Sequence, residues 1–272
     1  KLYSLKVIMK KKLILIGKKS FLGHYIKKNL SKKLNILHIN LSQFNNLNSS
    51  ILKSFDYICN CSISSKYQKQ KYNVNNDIDI KIIKKIKNLS VKFIFLSSRK
   101  VYQHDVNLKE TSKCKPLNNY AKNKLISENK IKSILKKKYL ILRISNIIGK
   151  PILNPRKVTN NFIDNYIKFK KSKKKIYFNN YFKDFLSINQ FTEIFYNIIQ
   201  KKLTGTFNVS LGKKVYISEI LNWLNKKNYK SFKPKNNFLD NDSFYLNNKK
   251  LLDKIKIKIK KSDLQNYCKN FK

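Results

Sequence analysis

The 272-residue chain is short of arginine, of acids and of long apolar runs, and each shortage closes off a class of protein. Of its 61 basic residues 58 are lysine and three are arginine; against 14 acids the formal net charge is +47. Such a charge ordinarily points to nucleic acid or to an anionic membrane surface. Readers of phosphate and base edges rely on arginine's planar fork, however, and the lysines here recur on most predicted helices without gathering in one patch. With the accompanying excess of Asn and Ile, this pattern reads as the drift of an AT-rich coding sequence, and no specific nucleic-acid partner is expected. No stretch approaches the roughly 18 apolar residues of a membrane span, so no membrane partner is expected either. Four cysteines without paired metal-ligand spacing, and no secretion signal, point to a reducing, cytoplasmic setting without a metal site. Met9, the one methionine, stands before Lys10-Lys11-Lys12 and the first apolar segment, and is read as the natural start after a non-functional extension over 1–8.

What is present is an alternation of short apolar runs with helical periodicity. Strands are expected near 12–16, 34–39, 56–61, 92–96 and 139–144, separated by helices near 22–30, 78–88 and 119–137. That order implies an α/β fold with a doubly wound parallel sheet, whose ligands bind beyond the carboxyl ends of the strands. Gly17, Asn60, Ser98 and Asn146 all fall at such ends. Cys59 and Cys61 alternate along the third strand and are expected to share a buried face. After Gly149 the stretch Lys150-Pro151-Ile152-Leu153-Asn154-Pro155 breaks the pattern, and a smaller substrate lobe is placed at about 151–183 and 211–272. The main domain then comprises 9–150 plus about 184–210, where the chain is expected to return to the sheet, with helices at 217–226 and 247–254 in the lobe. At 272 residues and 42% hydrophobic, the chain can bury one substantial core with such a lobe attached.

Two local patterns carry chemistry. The first strand is followed by Gly17-Lys18-Lys19-Ser20-Phe21-Leu22-Gly23: Gly17 permits a tight exit, Gly23 lets a helix pack closely on the sheet, and the helix start offers free N–H groups to a pyrophosphate. Ser20 stands where a glycine is usual. In the second, Tyr120 and Lys124 lie one helical turn apart, some twenty residues beyond the strand-closing pair Ser97-Ser98. A phenol, with a pKa near 10, becomes a usable base only when a cation such as Lys124 stabilises its phenolate.

In sequence order, these motifs resemble the extended short-chain dehydrogenase/reductase family, also called the NAD-dependent epimerase/dehydratase family. Ser97-Ser98-Arg99-Lys100-Val101-Tyr102 is similar to the family's SSxxVYG, with Gln103 in place of the glycine. Leu142 to Gly149 is similar to LRxxNxxG, Lys183 to Ile188 to RDFIHV, and Gly205 to Val209 to GxxYNV. The resemblance implies a Rossmann-like sheet with a C-terminal substrate lobe and a nucleotide-sugar substrate. Ser98, Tyr120 and Lys124 would form the catalytic set, Tyr120 as acid/base, Lys124 lowering its pKa and holding the nicotinamide ribose, and Ser98 bonding the substrate oxygen. Gly17, Lys18, Lys19, Ser20, Phe21, Leu22, Gly23, Asn40 and Asn60 would line the cofactor, with Asn146 and Lys183 on the substrate and Asn75 helping to organise the site. Asn40, where NAD users usually place an acid, together with Lys18 and Lys19, favours NADP over NAD. Relatives commonly form homodimers through the helices near 78–88 and 119–137, whose Ile and Leu would equally serve packing on the sheet.

The family's dehydratases carry Asp-Glu directly after the catalytic hydroxyl; here Arg99 and Lys100 follow, which argues against elimination of water. Lys100 also occupies the place of the extra cysteine acid found in fucose-synthase-like relatives. What remains is 4-keto reduction or 4-epimerisation of a nucleotide-activated sugar. A reductase of another ketone is one alternative, since the fold hosts many chemistries, and a cofactor-binding but inactive scaffold is another, prompted by Ser20, Gln103 and the shortened stretch before Lys183.

Overall fold

The computed structural model describes residues 10–150, 152, 166, 176–225, 232–234 and 243–271. Met9, the proposed extension before it and most of the 151–183 segment lie outside the described residues.

The chain runs β1 (Lys12–Ile16), α1 (Phe21–Leu30), β2 (Asn35–Ile39), α2 (Leu41–Asn45), α3 (Ser49–Lys53), β3 (Tyr57–Asn60), α4 (Ser65–Lys69), α5 (Ile78–Ile86), β4 (Lys92–Ser98), α6 (Asn119–Leu135), β5 (Tyr139–Ile144) and β6 (Asn146–Ile148). Then follow β7 (Ile176–Phe178), β8 (Phe182–Lys183), β9 (Phe185–Ser187), α7 (Ile188–Gln200), β10 (Gly205–Val209), β11 (Val215–Tyr216), α8 (Ile217–Asn225), β12 (Phe232–Pro234), α9 (Lys249–Ile255) and α10 (Lys261–Lys269). Six strands form one parallel sheet in the order β10-β5-β4-β3-β1-β2. The order reverses between β1 and β3, and that switch point opens a crevice at their carboxyl ends.

Because both faces are covered, the strands are mainly apolar, with polar residues such as Asn60, Ser97, Arg143 and Asn208 towards their carboxyl ends. Leu13 and Leu15 of β1 join α1, α7, α8, α9 and α10 in one core, while Ile14 and Ile16 join α5 and α6 in the other. In α5 and α6, Ile80, Ile82, Ile83, Ile86, Ile131 and Leu135 are buried in the second core, while Ile78, Leu125, Ile126 and Ile134 are partly exposed.

Some expectations need correction. Between 184 and 209 only β10 joins the sheet; β9 pairs with β6 in a separate two-stranded ribbon, and 188–200 is a helix started by Ser187, which accepts from Gln190 N. Cys61 lies past the end of β3 and is partly exposed, whereas Cys59 is buried; their sulfurs stand 4.0 Å apart and all four cysteines are free. Asn75 is exposed in a short turn, and the residue capping α5 is Asp77, whose Oδ1 accepts from Ile80 N at 3.1 Å.

Candidate active site

The turn after β1 is shaped by what cannot fit in it. Gly17 has φ +111°, and a Cβ there would stand 2.6 Å from Ser62 Oγ and 3.1 Å from Ser62 N. The β1 turn and the β3 turn therefore touch across the switch point. Ser20 caps α1, its Oγ donating to Gly17 O at 2.8 Å and accepting from Gly23 N at 3.0 Å. The hydroxyl thus closes the loop on itself, a consequence of having serine where the family motif has glycine. A Cβ on Gly23 would lie 2.4 Å from Ser20 Oγ and 2.9 Å from Gly17 O. Lys18 and Lys19 are exposed on the turn's outer side, and Phe21 and Leu22 begin the helix. Gly149 leaves room for Phe21, whose ring a Cβ at that position would meet at 2.6 Å. Glycine at 17 and 23 lets the chain pack this tightly on itself and turn straight from β1 into α1, whose first N–H groups then stand at the carboxyl end of the sheet, so these residues fit the pyrophosphate of a dinucleotide.

His38 lies behind this turn with its Nε2 enclosed and without a hydrogen-bond partner. Burial, with Lys27, Lys18 and His24 nearby, holds its pKa below the usual imidazole value against the opposing Gly17 hydrogen bond. Asn40 is exposed at the end of β2, its backbone N–H donating to Gln43 Oε1 at 2.9 Å.

The serine pair at the end of β4 divides its work. Ser97 is buried and donates to Glu128 Oε1 at 2.5 Å, joining a carboxylate that meets Arg143 Nη2 at 2.7 Å. Ser98 is partly exposed, and its Oγ accepts from Lys100 N at 3.2 Å. Tyr102, buried, donates to Asn208 Oδ1 at 2.7 Å while Arg143 lies 4.6 Å from its ring, so this motif tyrosine ties β10 to the site's floor.

Helix α6 is unusual in burying a polar face in its first half. Asn118 caps it by accepting from Ala121 N at 2.9 Å, which sets Tyr120 in the first turn, partly exposed, and Lys124 one turn on. Lys124 is only 6% exposed; its Nζ is 4.3 Å from the Phe95 ring, 5.6 Å from the Tyr67 ring and 4.0 Å from Asp79 Oδ2. Asn60 turns inward. Its amide donates to Ser62 O at 3.0 Å and to Asp79 Oδ1 at 2.9 Å and accepts from Ser62 N at 2.9 Å, so its side chain shapes the β3 turn and has no donor left for a ligand. Asn146 Nδ2 donates to Asp184 O at 3.1 Å, and Lys183 Nζ lies 4.4 Å from the Tyr181 ring.

Asp77 and Asp79 are absent from the candidates that the sequence alone supplies. The signal was available, because two of only 14 acids fall beside isoleucines that form the buried face of α5. Burial pushes Asp79 up to about 6 against the opposing pull of Lys124, with Asp77 adding to the rise and the Asn60 hydrogen bond reducing it. A groove of about 480 Å³ between α7 and α10 includes none of the residues of the β1 turn, Ser98, Tyr120 or Lys124.

Solved structures share this architecture. A UDP-N-acetylglucosamine 4-epimerase from Methanobrevibacter ruminantium superposes with a TM-score of 0.75 at 21% identity, over 96% of this chain and 97% of that one. The Bordetella bronchiseptica enzyme WbmG in complex with NAD gives 0.71 at 19% identity, over 94% and 91%. A dTDP-4-dehydrorhamnose reductase from Bacillus anthracis in complex with NADP gives 0.67 at 19%, over 84% of each chain. By sequence, no curated protein matches the chain. The stretch from residue 11 to residue 210, which spans β1 to β10 and every motif built above, matches as a unit, and the chain accordingly belongs to the NAD dependent epimerase/dehydratase family.

Proposed function

We propose that the protein is an NAD(P)-dependent oxidoreductase or epimerase that reduces a 4-keto group of, or inverts the 4-position in, a nucleotide-activated sugar. The observation that carries this reading is Lys124, fixed in a buried slot one turn along α6 from Tyr120. A solvated surface lysine would have no reason to be enclosed between Phe95 and Tyr67. The nicotinamide, when bound, supplies the hydride chemistry. Tyr120 passes a proton to or from the substrate oxygen, Lys124 favours the phenolate by its charge and holds the ribose, and Ser98 donates to the same oxygen. The turn from Gly17 to Gly23 takes the pyrophosphate on the start of α1. Asn146 and Lys183 face the substrate, with 151–183 and 211–272 forming its lobe. Arg99 and Lys100, following Ser98, supply no acid for elimination of water. Two neighbours, complexed with NAD and with NADP, support a nicotinamide dinucleotide. The absence of an acid at the end of β2, with Lys18 and Lys19 exposed on the turn, favours NADP.

The test is nicotinamide fluorescence titrated with NADPH and NADH, followed by addition of UDP-, dTDP- and GDP-4-keto sugars. Substrate-dependent loss of signal marks a reductase; retained signal with sugar interconversion on chromatography marks an epimerase. Tyr120→Phe is expected to lower turnover by at least about 100-fold while leaving dinucleotide affinity within about threefold. Failure to bind either dinucleotide, or wild-type turnover by Tyr120→Phe, would sink the proposal.

A further inference from the structure

Lys124 is buried, and a buried ammonium must meet a countercharge or lose its proton. Among the described residues the carboxylate within reach is Asp79, 4.0 Å away, itself almost fully buried on the inner face of α5. Helix α5 is otherwise lined on that face by isoleucine, so an acid here is at odds with the packing around it. Its other oxygen is held by Asn60 at 2.9 Å, and Asn60 is in turn fixed by two hydrogen bonds to the Ser62 backbone. Ser62 is the residue that Gly17 approaches across the switch point. One short chain of contacts thus links the β1 turn, the β3 turn, Asp79 and Lys124.

We propose that Asp79 is a positioning residue: its carboxylate holds the Lys124 ammonium in the slot between Phe95 and Tyr67, and so sets how well that lysine meets a bound dinucleotide. The proposal rests on the reading of Lys124 given above and adds a residue that acts only through it. It carries a pH dependence, because the carboxylate titrates near 6 while it is enclosed. The groups facing Asp79 are Lys124 from α6, Asn60 and Cys59 from β3, Tyr67 from α4, Tyr72 from the following loop and Asp77 at the start of its own helix. Of these only Lys124 carries positive charge. Below about pH 6 the acid is neutral and the lysine is released from its partner; above it the grip is complete.

Stability and binding give separate readouts. Asp79 has a folded pKa above its unfolded value, so its contribution to stability is fully present below the unfolded pKa and is lost as pH rises through about 6. In Asp79→Asn the side-chain amide mimics the neutral acid and lacks that loss. Thermal melts of the unliganded protein at about pH 5 and about pH 8 are therefore expected to show a larger fall for wild type than for Asp79→Asn. NADH is the binding probe, since NADPH brings a 2'-phosphate that titrates in the same range. At about pH 8 Asp79→Asn should bind NADH about tenfold more weakly than wild type, and at about pH 5.5 the gap should close to about threefold or less. An Asp79→Glu variant is expected to recover part of the affinity and the pH dependence.

A constant ratio of affinities across pH, or affinity equal to wild type at every pH, overturns the proposal. Lys124→Met separates it from the function reading. If Lys124→Met weakens NADH binding while Asp79→Asn does not, the function reading stands and the role of Asp79 falls. If Lys124→Met binds like wild type, or wild type binds no dinucleotide, both fall.

Discussion

A methyl group added at Gly23 would stand 2.4 Å from Ser20 Oγ and 2.9 Å from the Gly17 carbonyl, and the second of these is backbone that cannot step aside. Gly23→Ala is therefore expected to push α1 off the turn, weaken NADH and NADPH binding at least about tenfold and lower unfolding stability by about 1–3 kcal/mol. Fluorescence titration and denaturant melts would check both. At this scale the sequence was informative wherever chemistry is local. Gly17, Gly23, Tyr120 and Lys124 could be read because a turn and one helical repeat fix their relations over a few residues. Asp79 left a trace, an acid among the isoleucines of α5, but its role could not be read, because that depends on a lysine 45 positions further along the chain that meets it only in the fold. Asn75 illustrates a related difficulty: three asparagines and two aspartates crowd the start of α5, and the cap is chosen by the exact onset of the helix.

Among the elements, β5 is tied to α6 by Arg143 and Glu128, both nearly or fully buried and joined through Nε and Nη2. The Glu128 hydrogen bonds and charge hold the Arg143 pKa above its ordinary value, against the burial that would lower it. Glu128→Ala would leave a guanidinium enclosed without its carboxylate and release Ser97, and is expected to destabilise the protein by about 3–5 kcal/mol in chemical denaturation. Asp184 plays the corresponding part at the other end of the core. Its two oxygens accept from the backbone N–H groups of Leu211, Gly212 and Leu246, pinning the chain after β10 and the segment before α9 to the start of β9. Burial, opposed by these hydrogen bonds, raises it to about 7. Since the folded value exceeds the unfolded one, its stabilising contribution is intact below about pH 4 and is lost as pH rises through about 7, a change on the order of 4 kcal/mol. In Asp184→Asn the pH slope of the melting temperature should flatten over that range. Near pH 4 the variant should be less stable than wild type by about 1–3 kcal/mol, because an amide N–H would face a backbone donor, and that deficit should shrink and reverse as pH rises through about 7. Five of the six sheet strands were legible as elements because each is a short apolar run between turn residues, whereas β10, Gly-Thr-Phe-Asn-Val, was reached only through its motif. The 188–200 helix was harder to place. Phe185-Leu186-Ser187 leads into Ile188-Asn189-Gln190-Phe191 without a glycine or proline to mark the change, and short apolar segments of that kind fit strand or helix until their neighbours are known.

For the molecule as a whole, the net charge of +47 exceeds what pairing can offset, with 14 acids for 61 bases. Self-repulsion should make the fold salt-dependent: raising ionic strength from about 0.01 M to about 0.15 M shortens the Debye length from about 30 Å to about 8 Å, and the melting temperature is expected to rise. A melting temperature independent of salt would mean that the lysines are spaced widely enough to ignore one another. Whole-molecule organisation was legible only in part, since the order of motifs announced the sheet but not the route by which the C-terminal helices reach it. Those helices place Leu251, Ile255, Leu264 and Cys268 in the same core as Leu13 and Leu15. On a ribosome, β1 would emerge more than 200 residues ahead of α9 and α10, which complete the core on that face. The part of that core which α1 and α7 leave unfilled then stays open until α9 and α10 arrive, and over that interval the polypeptide is at its most adhesive and most in need of a chaperone.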